Sequence, residues 1–92
     1  MELSFQWDED KARENLSKHK VTFAEGKTVF NDPLLWTFPD PEHSEVEQRY
    51  LSVGYSAKGR VFISHTERAG EIRIISCRKA TVTERRAYEE GI

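Results

Sequence analysis

The stretch RYLSVGYSAKGRVFISHTERAGEIRIISCR, residues 49–78, decides the fold. In its first run, large side chains stand at every second position, which is typical of a strand with one buried face. Similar runs at 61–66 and 72–78 follow the short turn sequences SAKG (56–59) and RAG (68–70). Three such runs joined by tight turns predict an antiparallel meander.

Helix signals lie before the meander. Asp8 is predicted to cap a helix that ends at Lys18 or His19, with Ala12 and Leu16 on its inner face. The sequence TFAE (22–25) has the Ser/Thr-x-x-Glu form of a capping box, which predicts a second, short helix to about residue 30. Asn-Asp-Pro at 31–33 ends that helix, because proline disfavours a helical residue before it.

The remaining segments complete the predicted architecture. The apolar run LLWTF (34–38) favours a strand, and TVTE (81–84) repeats the capping box before a last helix to about Glu90. Gly91 is its expected stop. The order of helix, helix, strands and helix predicts an α+β fold, with two N-terminal helices, an antiparallel sheet and a C-terminal helix.

Length and composition restrict the class of protein. The 92 residues, 37% hydrophobic, suit one domain, residues 1–92, with a small core. No apolar run approaches the roughly 20 residues that a bilayer requires, and the amino terminus lacks a basic region followed by an apolar one. We therefore expect a cytoplasmic protein without a membrane partner. Cys77 is the single cysteine, so neither an internal disulfide nor a four-cysteine zinc site can form.

The net charge of −2 hides a division along the chain. Residues 1–46 carry five basic and ten acidic residues, whereas residues 47–92 carry nine basic and six acidic ones. Between Arg68 and Arg86, six basic residues stand against two acidic ones, and five of the six are arginine. The arginine guanidinium suits phosphate or carboxylate, so a phosphate-facing patch is a reasonable hypothesis.

Charged residues at strand ends are candidates for chemistry. Glu47 and Arg49 are two apart, so in extended structure they point the same way. Arg78 ends the last run and is predicted to share a strand face with Ile72, Ile74 and Ser76. Its side chain would then lie at the edge of that face. The alternative is that Glu47 and Arg49 form an ordinary surface ion pair and that Arg78 only extends its charge into solvent.

Three further residues have two interpretations each. His19 could transfer protons near neutral pH, or could simply lie at a helix C-terminus where the dipole favours it. Tyr88 could present a hydroxyl beside Arg85, or anchor the last helix to the sheet. For His65, which shares a face with Val61 and Ile63, a core position is favoured over a catalytic one. No HExxH, paired cysteine or phosphate-binding glycine loop is present, so the sequence predicts no metal and no cofactor.

The order of these motifs resembles the BrnT family of bacterial type II toxins. The resemblance covers residues 5–88 and rests on the segments FQWDEDKA (5–12), Asn15, KHKVTFAE (18–25), VFNDP (29–33), EQR (47–49), VG (53–54), HTER (65–68), IRIISCRKA (72–80) and ERRAY (84–88). Two positions depart from the family pattern. Lys20 stands where glycine is frequent after the motif histidine, so α-helix termination is expected to differ there, and Cys77 stands where alanine is usual.

The resemblance implies a RelE-like fold and a toxin that cleaves RNA and stops translation. It implies as partners an RNA substrate and a BrnA-like antitoxin, whose DNA-binding half represses the shared operon and so connects the toxin indirectly to operator DNA. Carried onto this sequence, it implies an active surface of His19, Glu47, Arg49, Arg68, Arg78 and Tyr88. Arg49, Arg78 and Arg68 would clamp the phosphate, and His19 or Glu47 would transfer the proton.

The competing hypothesis is a non-catalytic module. In that case the same arginine-rich face binds only an acidic partner or serves operon repression, and the chain cleaves nothing.

Overall fold

A computed structural model describes residues 3–43, 47–56 and 58–90, with only the backbone at 43, 60 and 62. The described residues form, in order, β1 (Phe5–Gln6), α1 (Glu9–His19), α2 (Phe23–Thr28), a 3₁₀ turn (Val29–Asn31), β2 (Trp36–Pro39), a 3₁₀ turn (Pro41–His43), β3 (Arg49–Ser56), β4 (Gly59–Arg68), β5 (Glu71–Lys79) and α3 (Val82–Glu90). The α+β class is confirmed. The predicted stop at Gly91 and Ala57 of the predicted hairpin lie outside the described residues.

The helices begin where the capping signals predict. The Asp8 carboxylate accepts hydrogen bonds from the backbone N–H groups of Asp10 and Lys11, at 2.8 and 3.1 Å. The hydroxyls of Thr22 and Thr81 accept from the N–H groups three residues later. Each cap satisfies a donor that the first helical turn leaves unpaired.

The sheet differs from the predicted antiparallel one. Its strand order among the described residues is β1-β5-β4-β3-β2, and the β2, β3, β4 and β5 pairings are antiparallel as expected. However, β1 pairs with β5 in parallel, Phe5 opposite Ile72 and Gln6 opposite Arg73. The sheet is therefore mixed. Two residues are too few to give a periodic pattern, which is why the sequence did not predict β1.

The core lies between α1, α2 and one face of the sheet, which we call the helix face. Val61, Ile63, Ile74 and Cys77 contribute from the strands, and Val21, Phe23 and Val29 from the helical segments. One prediction for α1 is wrong. Leu16 is 45% exposed, whereas Asn15 is 7% exposed and faces the core.

The opposite side of the sheet is here called the arginine face, because Arg49, Arg68, Arg73 and Arg78 share it. Directly paired residues of neighbouring strands project to the same face. Arg49 pairs with Thr66 and Thr66 with Arg73, and Val53 pairs with Phe62 and Phe62 with Arg78. The prediction that Arg78 lies in line with Ile72 and Ile74 is wrong. A register shift makes Ile75 a bulge residue, and an extra residue reverses the alternation.

Helix α3 closes the arginine face at the end remote from Arg49. It contacts β3, and Glu84 in its first turn binds Arg78. Val53, which projects to this face, is fully buried. The helix thus covers one end of the arginine face and leaves the other end, around Arg49 and Arg68, without a helix over it in the described part of the chain.

Candidate active site

Glu47 and three arginines form a charged cluster at the uncovered end of the arginine face. Arg68 holds the Glu47 carboxylate with two parallel hydrogen bonds, from Nε at 2.7 Å and from Nη2 at 2.9 Å. Arg49 begins β3 two residues after Glu47, and Arg73 is in the same cross-strand row as Arg49. The structure therefore brings together three residues predicted from the sequence, Glu47, Arg49 and Arg68, and adds Arg73.

Electrostatics support the grouping. The pKa of Glu47 lies below its ordinary value, first because of the hydrogen bonds from Arg68, and also because of the charges of Arg68, Arg73 and Arg49. Reciprocally, Glu47 raises the pKa of Arg68. At neutral pH the carboxylate is ionised, so it can accept a proton but cannot donate one. The cluster has a net positive charge and suits an anionic ligand.

Thr66 lies between the arginines on this face. It pairs with Arg49 on β3 and with Arg73 on β5, and its side chain is 1% exposed. Its hydroxyl oxygen is buried and has no hydrogen-bond partner among the described residues. Gln6 extends the row from β1, where its side-chain oxygen accepts a hydrogen bond of 3.0 Å from Arg73 Nη1.

Arg78 lies away from the cluster. It is two strands from Arg49 and level with Val53, which corresponds to about 17 Å at normal strand spacing. Its two terminal nitrogens each donate to one carboxylate oxygen of Glu84, both at 2.8 Å. Glu84 also accepts the N–H of Thr81 and so caps α3. The half-buried pair joins the end of β5 to the start of α3.

Tyr88 is also on α3 and contacts the loop after the 3₁₀ turn. Its hydroxyl donates to Asp32 Oδ2, which accepts the N–H of Tyr55 as well, at 2.8 Å. Asp32 thereby connects α3 to the end of β3. This geometry matches the anchoring interpretation of Tyr88 and places the residue outside the Glu47 cluster.

His19 lies in a separate surface depression of about 260 Å³. The depression is on the β5 side of α1, and its lining includes Lys18, Ile75 and Ser76. His19 is the last residue of α1, with Lys18 beside it, which is favourable for the helix dipole. Ser76 is three residues along β5 from Arg73, or about 10 Å, so the depression borders the arginine face without being part of the cluster.

His65 is a core residue, as the sequence favoured. It is 3% exposed, its Nε2 lies 2.7 Å from Ser52 Oγ, and its ring packs between Phe30 and Tyr50. Its Nδ1 is buried and has no partner among the described residues. Burial lowers the pKa of His65 to about 4. The ring is therefore neutral at physiological pH and does not line the candidate site.

In the described residues, no three His, Cys, Asp or Glu side chains form a group that could hold a metal ion. No described helix is long and apolar enough to span a membrane.

Sequence reasoning did not select Arg73, Thr66 or Gln6 as site residues. Arg73 was visible in the arginine-rich segment, but its membership of the site depends on cross-strand pairing. Gln6 depends on β1, which the sequence did not predict. Thr66 could not be recognised from the sequence, since the alternation of apolar and polar residues identifies the face of a strand but not a hydroxyl that lacks a hydrogen bond.

Residues 7–84 match the model of BrnT, described as a ribonuclease toxin of type II toxin–antitoxin systems. The chain belongs to the BrnT family. No significant match is found among curated proteins.

The BrnT match includes the whole Glu47 cluster, Thr66 and the Arg78–Glu84 pair, whereas Gln6 and Tyr88 lie just outside it. Its description supports endoribonuclease activity and implies an RNA substrate and an antitoxin partner. An arginine cluster on an open sheet face is compatible with such a substrate, because the guanidinium group suits the geometry of phosphate.

Proposed function

We propose that the chain is a metal-independent endoribonuclease toxin with a RelE-like fold, which cleaves RNA and thereby inhibits translation in the cytoplasm. The observation that carries the proposal is the cluster of Arg49, Arg68 and Arg73 around the ionised Glu47. Three permanent cations beside one proton acceptor can stabilise the charge of the transition state and accept the proton of the attacking hydroxyl when no metal does so.

In the proposed reaction, the ribose 2′-hydroxyl attacks the adjacent phosphorus and the 5′-oxygen leaves. Arg49 and Arg68 hold the nonbridging oxygens, where negative charge increases in the transition state. Arginine remains protonated at every physiological pH, so this stabilisation needs no titration. Arg68 and Glu47 form an exposed pair, and exposed ion pairs contribute little to stability, so a phosphate can share Arg68 at little cost.

Glu47 is the first candidate for accepting the 2′-hydroxyl proton. Its ionised state at neutral pH fits that role, and Arg68 fixes its orientation. His19 is the second candidate for proton transfer, in the neighbouring depression. His19 would replace Glu47 and not act together with it, because both reacting oxygens belong to one phosphodiester and the depression lies outside the Glu47 cluster. With Glu47 as the base, water supplies the proton that the leaving 5′-oxygen takes up.

Arg78 and Tyr88 have a supporting role in this proposal. Both side chains are occupied by carboxylates of the scaffold, Arg78 by Glu84 and Tyr88 by Asp32. They hold α3 in place, so their loss would act on stability before chemistry. The proposed active site therefore contains fewer residues than the active surface that the resemblance implies.

We propose further that a BrnA-like antitoxin with a DNA-binding domain neutralises the toxin and links it indirectly to operator DNA. The support is the family match and the positive charge of the arginine face, which an acidic antitoxin segment could cover. Binding over Arg49 and Arg68 would exclude RNA by direct competition.

A non-catalytic binding module is the second candidate function. The observation in its favour is that Arg68 already binds a carboxylate with ideal two-point geometry, so this face accepts acidic protein groups as well as phosphate. Incubation of purified protein with RNA in EDTA separates the two. Cleavage supports the nuclease, whereas intact RNA with retained binding of an acidic partner supports the module.

A further inference from the structure

We propose that Thr66, Arg49 and Arg73 form a phosphodiester-binding subsite for RNA, with the Thr66 hydroxyl at its floor and Gln6 holding Arg73. The inference rests on the proposed function and deepens it, because it names residues that position the substrate. It is independent of which group transfers the proton.

The hydroxyl of Thr66 is the feature that points to a ligand. Thr66 Oγ1 is buried and has no partner among the described residues, although a hydroxyl can donate one hydrogen bond and accept two. A buried polar atom without a partner is unfavourable and uncommon in folded proteins. Valine would fill the same space without that cost, so the hydroxyl is best explained by a ligand that pairs with it.

Thr66 is surrounded by arginines on the arginine face. Arg49 and Arg73 are its cross-strand neighbours on the arginine face, and Arg68 follows two residues later on the same strand and face. A neutral donor at the centre of three cations matches a phosphate, whose oxygens accept hydrogen bonds from both kinds of group. The Arg49 stem is long and flexible, so its movement onto a phosphate would uncover Oγ1 while Arg73 stays bound to Gln6.

Arg73 is held in position by β1. Gln6 accepts a hydrogen bond from Arg73 Nη1, and β1 pairs with β5 at Arg73 itself. One nitrogen is thus occupied by the scaffold while other N–H groups of the guanidinium remain to bind oxygen. The charge of Arg73 also contributes to the lowered pKa of Glu47, so Arg73 lies within electrostatic range of that carboxylate.

The test compares Thr66→Val with Thr66→Ser. Valine keeps the shape and removes the hydroxyl, whereas serine keeps the hydroxyl. We expect Thr66→Val to melt at the same or a higher temperature than the wild type, and to bind a 2′-O-methylated RNA oligonucleotide about tenfold more weakly. KM for natural RNA should rise more than kcat falls, and Thr66→Ser should restore both.

A Thr66→Val protein that melts normally and binds the oligonucleotide as tightly as the wild type would overturn the proposal. If Thr66→Val does not fold, the Gln6→Ala variant tests the subsite instead. We expect it to leave the fold intact and to weaken oligonucleotide binding severalfold, and unchanged binding would reject the subsite. The modified oligonucleotide lacks the attacking hydroxyl, so its affinity reports on the subsite even if the wild type proves not to cleave RNA. That failure would count against the proposed function alone.

Discussion

The side-chain amide of Asn15 pairs with both backbone groups of Cys77, as a neighbouring strand would. Nδ2 donates to the Cys77 carbonyl at 2.8 Å and Oδ1 accepts the Cys77 N–H at 3.1 Å, while Nδ2 also donates to the Val21 carbonyl at 2.9 Å. In the described residues, β1 pairs with β5 at Ile72 and Arg73 and reaches no further. Asn15 thus satisfies an open sheet edge and fastens α1 to β5.

Asn15→Ala is expected to lower the free energy of unfolding by about 2–4 kcal/mol, because three hydrogen bonds disappear and buried backbone groups of Cys77 are left unpaired. Urea unfolding measures the change. Leu16→Ala is the matched control on the same helix; since Leu16 is 45% exposed, its cost should be clearly smaller. Equal losses in the two variants would contradict the role of Asn15.

The Asn15 contact also shows where sequence reasoning reached its limit. The boundaries of α1 followed from its caps, but its inner face was assigned by hydrophobicity, which favoured Leu16. A polar residue takes the core position because it pairs with backbone atoms 62 residues away. Local periodicity contains no information about such a partner.

Lys20→Gly is expected to stabilise the protein. Lys20 ends α1 with φ 60° and ψ 27°, a left-handed conformation in which a side chain is unfavourable and glycine is not. The helix therefore ends as a glycine would end it, despite the departure from the family pattern. We expect a gain of about 0.5–1 kcal/mol by thermal unfolding. Lys18→Gly, inside the helix, should destabilise instead; a loss of stability in Lys20→Gly would contradict the argument.

Stability should depend on the protonation of His65. Its pKa is 6.5 when unperturbed and about 4 in the folded protein, so between these values the unfolded chain binds more protons. The free energy of unfolding should therefore fall by about 2 kcal/mol from about pH 7 to about pH 5 through this residue. Urea unfolding at both pH values measures it. In His65→Gln the free energy of unfolding should fall by about 2 kcal/mol less between these pH values. The same pH dependence in His65→Gln and the wild type would show that His65 is not the group responsible.

Arg78→Ala is expected to lower stability, whereas Arg49→Ala is expected to lower RNA cleavage. Arg78 holds the half-buried Glu84, so its loss should lower the free energy of unfolding by about 1–3 kcal/mol and detach the start of α3. Arg49→Ala should leave stability nearly unchanged and reduce cleavage. Thermal melts and cleavage assays on the same preparations compare them. Loss of cleavage in a fully stable Arg78→Ala protein would instead support Arg78 in the phosphate clamp.

The candidate site was predicted in part. Glu47, Arg49 and Arg68 were selected from the sequence and come together in the structure, because strand ends of a meander return to the same end of the sheet. Arg78 was placed on the wrong face because a single bulge residue, Ile75, reverses the alternation. Thr66 and Gln6 could not be found, since their significance depends on an unpaired atom and a two-residue strand.

The most direct test of the central claim, that the Glu47 cluster cleaves RNA without metal, is the kcat/KM for RNA cleavage in EDTA of the wild type, Arg49→Ala and Arg13→Ala. Arg13 pairs with Asp10 on the exposed side of α1 and is the matched control. We expect cleavage by the wild type and Arg13→Ala, and a loss of about 10²–10³-fold in Arg49→Ala. Intact RNA with the folded wild type, or equal cleavage by Arg49→Ala, would contradict the account.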